Sequence, residues 1–136
     1  MKIKILICTH GRFGEELIKS TEMIGGKLKN VVAVSLLENM SMDDYYEAVK
    51  KELNENDTYL CLTDLFGGTP CNTLLDLSQN YPIEILCGIN LPVLLEASSS
   101  YEYENLAELK KHLMEVYAMS GFDVLEKLRG GNNYGN

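Results

Sequence analysis

One histidine and one aspartate stand out by residue type and by setting. His10 follows the apolar run Lys2–Cys8 and precedes Gly11, which permits a tight backbone with little side-chain obstruction. Asp64 follows a second apolar run, Asp57–Thr63. A carboxylate that accepts a hydrogen bond from one imidazole nitrogen fixes the tautomer and leaves the other nitrogen free as a nucleophile. The two residues could therefore form an activated histidine.

The stretch after Asp64 offers groups that bind phosphate oxygens. Gly67 and Gly68 precede Thr69 and Pro70, a pair typical of an N-cap and a first helical position. Backbone amides and a hydroxyl at a helix start can hold a phosphoryl group, as can the amides after Gly11. The stretch is neither a P-loop, which ends in Lys-Ser/Thr, nor a GxGxxG fingerprint, so nucleotide binding is disfavoured. These features together indicate a phosphoryl carrier that needs no cofactor.

Each of these residues also has a purely structural interpretation. A histidine at a strand end is commonly an ordinary surface residue, Asp64 could cap a turn, and the Gly-Gly pair could simply form a turn. The second histidine, His112, lies among Lys and Glu residues and is predicted to occupy a solvated helix face. Met23, in the first predicted helix, is predicted to pack in the core.

Hydrophobic periodicity and capping signals divide the chain into alternating strands and helices. Short apolar, β-branched runs predict strands, and apolar residues at helical spacing predict helices. Ser41 followed by Asp44 resembles a capping box. The predicted strands are Lys2–Cys8, Asn30–Leu37, Asp57–Thr63, Pro82–Gly88 and a short last strand, Phe122–Leu128. The predicted helices are Phe13–Ile24, one from Ser41 through Leu53, one from Thr69 through Leu77, Leu91–Ala97 and Leu106–Met119.

This alternation predicts an α/β fold with a doubly wound, mainly parallel sheet in a single domain. For a flavodoxin-like strand order of 2-1-3-4, the strand order reverses between strands 1 and 3. Ligands bind beyond the carboxyl ends of the strands at such a point. Because His10 and Asp64 follow strands 1 and 3, the topology predicts that they meet there.

Composition restricts the class of protein. The 136 residues are 46% hydrophobic and 24% charged, as in globular domains, and no apolar run approaches the roughly 20 residues of a membrane-spanning helix. The net charge of -8 argues against nucleic-acid binding. Four cysteines without CxxC spacing predict buried, reduced thiols, and two histidines without a Cys/His cluster predict no metal site. We expect one domain over residues 1–129 and a flexible Gly/Asn-rich tail over residues 130–136.

Four motifs resemble the mannose-family IIA component of the bacterial sugar phosphotransferase system (PTS). They occur in the family's order and cover about the first hundred residues, whereas the last third matches only in outline. The first two motifs are Ile7–Gly11 (Ile-Cys-Thr-His-Gly) and Thr21–Gly25 (Thr-Glu-Met-Ile-Gly). The other two are Thr63–Asn72 (Thr-Asp-Leu-Phe-Gly-Gly-Thr-Pro-Cys-Asn) and Gly88–Glu96 (Gly-Ile-Asn-Leu-Pro-Val-Leu-Leu-Glu).

The resemblance implies a cytoplasmic phosphocarrier that associates peripherally with a membrane transporter. His10 matches the family's phosphorylated histidine, Asp64 the aspartate beside it, and Thr69 the Ser or Thr at the phosphate site. In that family the histidine accepts a phosphoryl group from phospho-HPr and passes it to a IIB subunit, which phosphorylates sugar entering through membrane IIC and IID partners. Members form homodimers that exchange a C-terminal edge strand, for which Phe122–Leu128 is the counterpart here.

Two other functions fit parts of the pattern. The phosphotransfer subunit of PTS-dependent dihydroxyacetone kinase resembles this fold and carries an N-terminal histidine, although the stretch after Asp64 favours the sugar-transport component. A non-catalytic flavodoxin-like module would bind FMN at the same switch point. That module would need a Ser/Thr-rich loop after the first strand and aromatic residues around the flavin, whereas this loop is Thr-His-Gly-Arg-Phe and the chain has no tryptophan.

Overall fold

The computed structural model describes residues 3–99 and 105–130, in which strands and helices alternate along most of the chain. The strands are β1 (Ile3–His10), β2 (Val31–Leu36), β3 (Thr58–Thr63) and β4 (Ile83–Cys87). The helices are α1 (Phe13–Gly25), α2 (Met42–Lys50), α3 (Thr69–Leu77), α4 (Leu91–Ala97), α5 (Leu106–Met119) and α6 (Val124–Arg129).

The four strands form one parallel sheet in the order β2-β1-β3-β4, which confirms the predicted architecture. β1 lies between β2 and β3, and its Cys8 is in register with Val34 on one side and Thr63 on the other. The strand order therefore reverses between β1 and β3. Asp64 follows Thr63 directly, so the register brings it beside the end of β1.

Apolar side chains cover both faces of the sheet, so its strands are buried on two sides. On one face, alternate strand residues such as Ile5 and Ile7 pack with residues of α1, α4 and α5. On the other, Leu6 and Cys8 pack with residues of α2 and α3. The chain thus leaves β1 toward one face and leaves β3 toward the other, which opens a crevice between the two strand ends.

Local capping explains where several helices begin. The predicted capping box at α2 is present in both directions, since Ser41 Oγ accepts from Asp44 N–H and Asp44 Oδ2 accepts from Ser41 N–H. Asn90 caps α4 by accepting from Val93 N–H. α4 and α5 have the predicted bounds, whereas α2 ends at Lys50, three residues before the predicted end at Leu53.

The predicted last strand is wrong, because the segment Phe122–Leu128 contains the helix α6 instead. Asp123 caps this helix through its Oδ1, which accepts from Glu126 N–H at 2.9 Å. After Val124, the residues Leu125–Arg129 (Leu-Glu-Lys-Leu-Arg) are all strong helix formers. The described residues therefore contain no C-terminal edge strand that a dimer could exchange, and α6 has no buried residue within this chain.

Two side chains differ from their predicted burial. Met23 lies on the outer face of α1 and is 88% exposed, so the predicted core position is wrong. Three thiols are buried as expected, but Cys87, the last residue of β4, is exposed. Within the described residues, no helix is long and apolar enough to cross a membrane. Apart from Gly130, the predicted flexible tail lies outside the described residues.

Candidate functional site

His10 lies at the strand switch point as the last residue of β1. The strand thus ends two residues later than its predicted end at Cys8. His10 is in register with Leu36 of β2, and the next residue is tied to the same strand because Gly11 N–H donates to Leu36 O at 2.8 Å. Gly11 has φ +53°, the left-handed region that glycine adopts without strain. The chain therefore turns sharply after His10 and leaves the imidazole at the sheet edge.

Asp64 anchors both the backbone and the ring of His10 through a single carboxylate oxygen. The Oδ2 atom accepts from His10 N–H at 2.9 Å and lies 2.9 Å from the ring Nδ1. The Asp64 side chain is 13% exposed and that of His10 is 44% exposed. A largely shielded carboxylate thus fixes a half-exposed ring, and the topology-based prediction that the two residues meet is confirmed.

The second carboxylate oxygen of Asp64 organises its own loop. Oδ1 accepts from Leu65 N–H at 3.0 Å, so the turn-capping role considered for Asp64 coexists with its contact to His10. Burial opposes ionisation of Asp64, but the hydrogen bonds from the backbone and ring of His10 outweigh it. The pKa of Asp64 is therefore held below its usual value, and the carboxylate is charged at neutral pH.

Gly68 forms one wall of the imidazole site. A Cβ atom added at Gly68 would lie 2.6 Å from His10 Cε1 and 3.0 Å from Nε2, so the ring occupies the space that a side chain would fill. Gly67 before it has φ +87°, and its carbonyl accepts from Asn72 Nδ2 at 3.2 Å. The two glycines have different roles, because Gly67 turns the backbone and Gly68 permits its close approach to the ring.

The N-terminus of α3 begins at this wall. Gly68 is the N-cap, rather than Thr69 as predicted, and Thr69 is the first residue of the helix. Within the described part of the chain, no side chain caps α3. Its first backbone N–H groups and the positive end of its dipole therefore remain available to an anion next to the ring.

Two residues that support this edge were missed by the sequence prediction. Thr9 is fully buried and its Oγ1 accepts from Gly14 N–H at 2.9 Å, which ties the start of α1 to the end of β1. Asn72 holds Gly67 as described above. A Thr or Asn at a strand end or helix start is a common signal for such turns, but it does not identify the partner.

The second histidine lies outside this site. His112, on α5, places Nε2 3.0 Å from Glu96 Oε2 of α4, and its side chain is 33% exposed. It therefore joins two helices instead of standing on a fully solvated face as predicted. Near His10 in the chain and in the fold, by contrast, apolar side chains are exposed: Phe13 at the start of α1, and Leu65 and Phe66 on the loop after β3.

Comparison with known proteins gives one consistent result. A family described as "PTS system fructose IIA component" matches residues 4–114. The fructose-specific EIIA component of Bacillus subtilis is 31% identical over 96% of this chain and 94% of its own length. The mannose-specific EIIAB component of Escherichia coli K12 is 32% identical over 71% of this chain, which corresponds to 31% of that longer protein.

Solved structures agree with the sequence relatives. EIIA from Streptococcus agalactiae superposes with a TM-score of 0.86 at 32% identity, covering 92% of this chain and 99% of that one. The mannose/sorbose-specific IIA subunit of Enterococcus faecalis superposes with a TM-score of 0.85 at 32% identity, over 90% and 95% of the two chains. Fold and sequence therefore point to the same group of proteins.

Proposed function

Because this chain belongs to the family of PTS system fructose IIA components, we propose that it carries a phosphoryl group on His10. Membership makes it a component of the phosphotransferase system. The observation that carries the proposal is the 2.9 Å contact between His10 Nδ1 and Asp64 Oδ2, which leaves Nε2 as the unanchored ring nitrogen. Nε2 is then the atom that attacks phosphorus.

The Asp64 carboxylate favours the tautomer that this attack requires. With the ring proton on Nδ1, facing Oδ2, the lone pair of Nε2 is free. The bond from Nε2 to phosphorus forms as the donor's nitrogen–phosphorus bond breaks, and the electron pair of that bond remains on the donor nitrogen. The Nδ1 proton stays with the ring, where Asp64 stabilises the positive charge that develops on the imidazole. The reverse step delivers the group to the next protein.

The α3 start supports the same function by holding the transferred group. Phosphoryl transfer depends mainly on positioning and on stabilising the charge of the equatorial oxygens. Gly68, the N-cap of α3, lies against the ring, so the helix starts beside it, and Thr69 adds a hydroxyl at the first turn of α3.

Phosphorylated HPr is the donor we propose, and a IIB subunit is the acceptor. Both assignments follow from the family, in which the phosphoryl group finally reaches a sugar that enters through membrane IIC and IID partners. The half-exposed ring and the exposed Phe66 of the loop after β3 are suited to direct contact with another protein. This function places the chain in the cytoplasm, where it associates with the transporter through its partners.

We also propose a homodimer, with a contact different from the exchanged strand that the resemblance suggested. α6 leaves Val124, Leu125 and Leu128 exposed, and Phe122 and Met119 before it are exposed as well. A helix that buries none of its apolar side chains within its own chain gains stability from a second copy. The dimer contact would therefore form through α6 as a helix.

The direct test uses the two histidines as a matched pair. His10→Ala should accept no label from radiolabelled phospho-HPr, whereas His112→Ala should be labelled like the parent, because His112 is bound to Glu96 outside the site. Equal labelling of the two variants would refute the assignment of His10. Transfer of the label to IIB, and not to an enzyme-bound nucleotide, distinguishes a sugar-transport component from a dihydroxyacetone kinase subunit.

Asp64→Ala tests the role of the carboxylate. We expect it to slow single-turnover transfer by about 10²-fold or more, the usual scale for a lost acid–base or orienting group. The fold should persist, because Asp64 lies in a loop at a strand end. If Asp64 only caps its turn, the variant will instead lose thermal stability and keep its rate per folded molecule.

A further inference from the structure

Arg12 is the only cationic residue in the loops at the carboxyl edge of the sheet. Those loops connect each strand to the next helix and comprise residues 11–12, 37–41, 64–68 and 88–90. Their other charged residues are Glu38 and Asp64, both acidic. Phosphorylation of His10 would add roughly two further negative charges at this edge of a chain whose net charge is already -8.

The side chain of Arg12 is held, but only by part of its guanidinium. Nη1 donates to Glu15 Oε1 at 3.2 Å and Oε2 at 3.1 Å, and the side chain is 61% exposed. No other hydrogen bond joins the guanidinium to the described residues, so its Nη2 and Nε groups have no partner among them. A guanidinium has five N–H donors in a planar fork, and most of them remain available to an anion.

Glu15 is itself fixed by the neighbouring strand. Its Oε2 accepts from Ser35 Oγ at 2.5 Å, and Ser35 of β2 is in register with Thr9, the residue before His10. This hydrogen bond, together with the charge of Arg12, holds the pKa of Glu15 below its usual value. Ser35 and Glu15 thus hold the cation at the β2 side of β1, whereas Asp64 follows β3 on the other side of β1.

We propose that Arg12 binds the phosphoryl oxygens on His10 during transfer. The inference rests on the phosphocarrier function proposed above. In the unphosphorylated protein, Glu15 provides the counter-charge for Arg12. When phosphorus is transferred to Nε2, the free N–H groups of the guanidinium donate to its oxygens, complementing the α3 amides on the other side. No proton or electron moves to or from Arg12.

A small chemical donor tests this contact without a protein partner. Potassium phosphoramidate transfers its phosphoryl group to histidine as its own nitrogen–phosphorus bond breaks. Arg12→Gln should slow labelling of His10 by this donor by about tenfold, the typical effect of one charged hydrogen bond. Arg12→Lys should recover part of the rate. Lys19→Gln is the matched control, because Lys19 forms the same kind of i,i+3 pair with Glu16 further along α1, and its rate should equal the parent's.

Glu15→Gln separates a phosphoryl contact from a structural ion pair. The amide can still accept from Ser35 but no longer provides a counter-charge for Arg12, so we expect a rate within about twofold of the parent, or above it. A loss as large as that of Arg12→Gln would overturn the proposal, as would Arg12→Gln behaving like Lys19→Gln. A defect seen with phospho-HPr but not with phosphoramidate would also overturn it, since Arg12 would then contact the partner. Failure of the parent to be labelled at His10 would instead refute the proposed function.

Discussion

Gly68→Ala is the substitution that most directly tests the geometry of the site. The added Cβ would lie 2.6 Å from His10 Cε1, whereas ordinary contacts begin at 3.4 Å. The ring or the loop must therefore move by about 0.8 Å, a shortfall of the size that costs on the order of 10²-fold in a positioned reaction. A ring that moves this far directly away from Asp64 would stretch its 2.9 Å contact beyond hydrogen-bonding distance.

The backbone of Gly68 does not itself require glycine. Its φ of -83° is accessible to any residue. Replacing an N-cap glycine by alanine costs about 1 kcal/mol or less of stability. We therefore expect Gly68→Ala to fold with a melting temperature within a few degrees of the parent, while single-turnover transfer from phospho-HPr falls by about 10²-fold.

Gly67→Ala provides the contrasting control. At φ +87° an alanine is strained, by about 1–2 kcal/mol, yet its Cβ would meet no atom within 4 Å. Gly67→Ala should therefore lose more thermal stability than Gly68→Ala does, but its transfer rate should fall less than that of Gly68→Ala. A parent-like rate in Gly68→Ala, or the same balance of effects in both variants, would show that the wall formed by Gly68 does not position the ring.

Three further predictions concern Asp64, the thiols and the C-terminal helix. The hydrogen bonds from His10 lower the pKa of Asp64, so the ionised carboxylate stabilises the fold at pH values above its unfolded pKa near 3.8. This stabilisation is lost as the pH falls through the lower pKa of the folded state. An acid titration followed by circular dichroism should therefore show this loss of stability in the parent but not in Asp64→Asn. Native protein should expose one thiol to Ellman's reagent, Cys87, since the other three are buried and burial raises the pKa of Cys8 to about 12. Sedimentation should give a dimer at micromolar concentration, and truncation after Ser120 should give a folded monomer, because α6 buries nothing in its own chain; a monomeric parent would contradict the dimer.

Much of the fold is predictable because local signals and topology agree. The capping box at Ser41, the Asn90 start of α4 and the buried β-branched strands each specify one element, and right-handed crossovers then give the strand order. The last segment could not be predicted in the same way. Apolar Phe122, Val124 and Leu128 fit a strand at even spacing, but the Asp123 cap and the helix formers after it determine the observed helix.

The site was predictable at the level of residues but not of contacts. Parallel strands bring His10 and Asp64 to one edge whatever their side chains do, so topology alone predicts their proximity. It does not predict that one oxygen of Asp64 binds both the backbone and the ring, or that the ring fills the space above Gly68. The link from Arg12 through Glu15 to Ser35 spans a strand and a helix and has no short sequence signature.

The arrangement of α1 and α3 on opposite faces of the sheet suits the function proposed for His10, in which one histidine both accepts and releases a phosphoryl group. The chain turns to one face after β1 and to the other after β3, so the loops diverge and leave the outer end of the ring open to a partner. The side chain of Asp64, which anchors the ring, is 13% exposed, whereas the side chain of His10 is 44% exposed. In the proposed function, a docking donor or acceptor would cover Nε2 without disturbing the hydrogen bond between Nδ1 and Asp64. A shared, fixed nucleophile is what reversible transfer between two different proteins requires, because the same geometry must serve both directions.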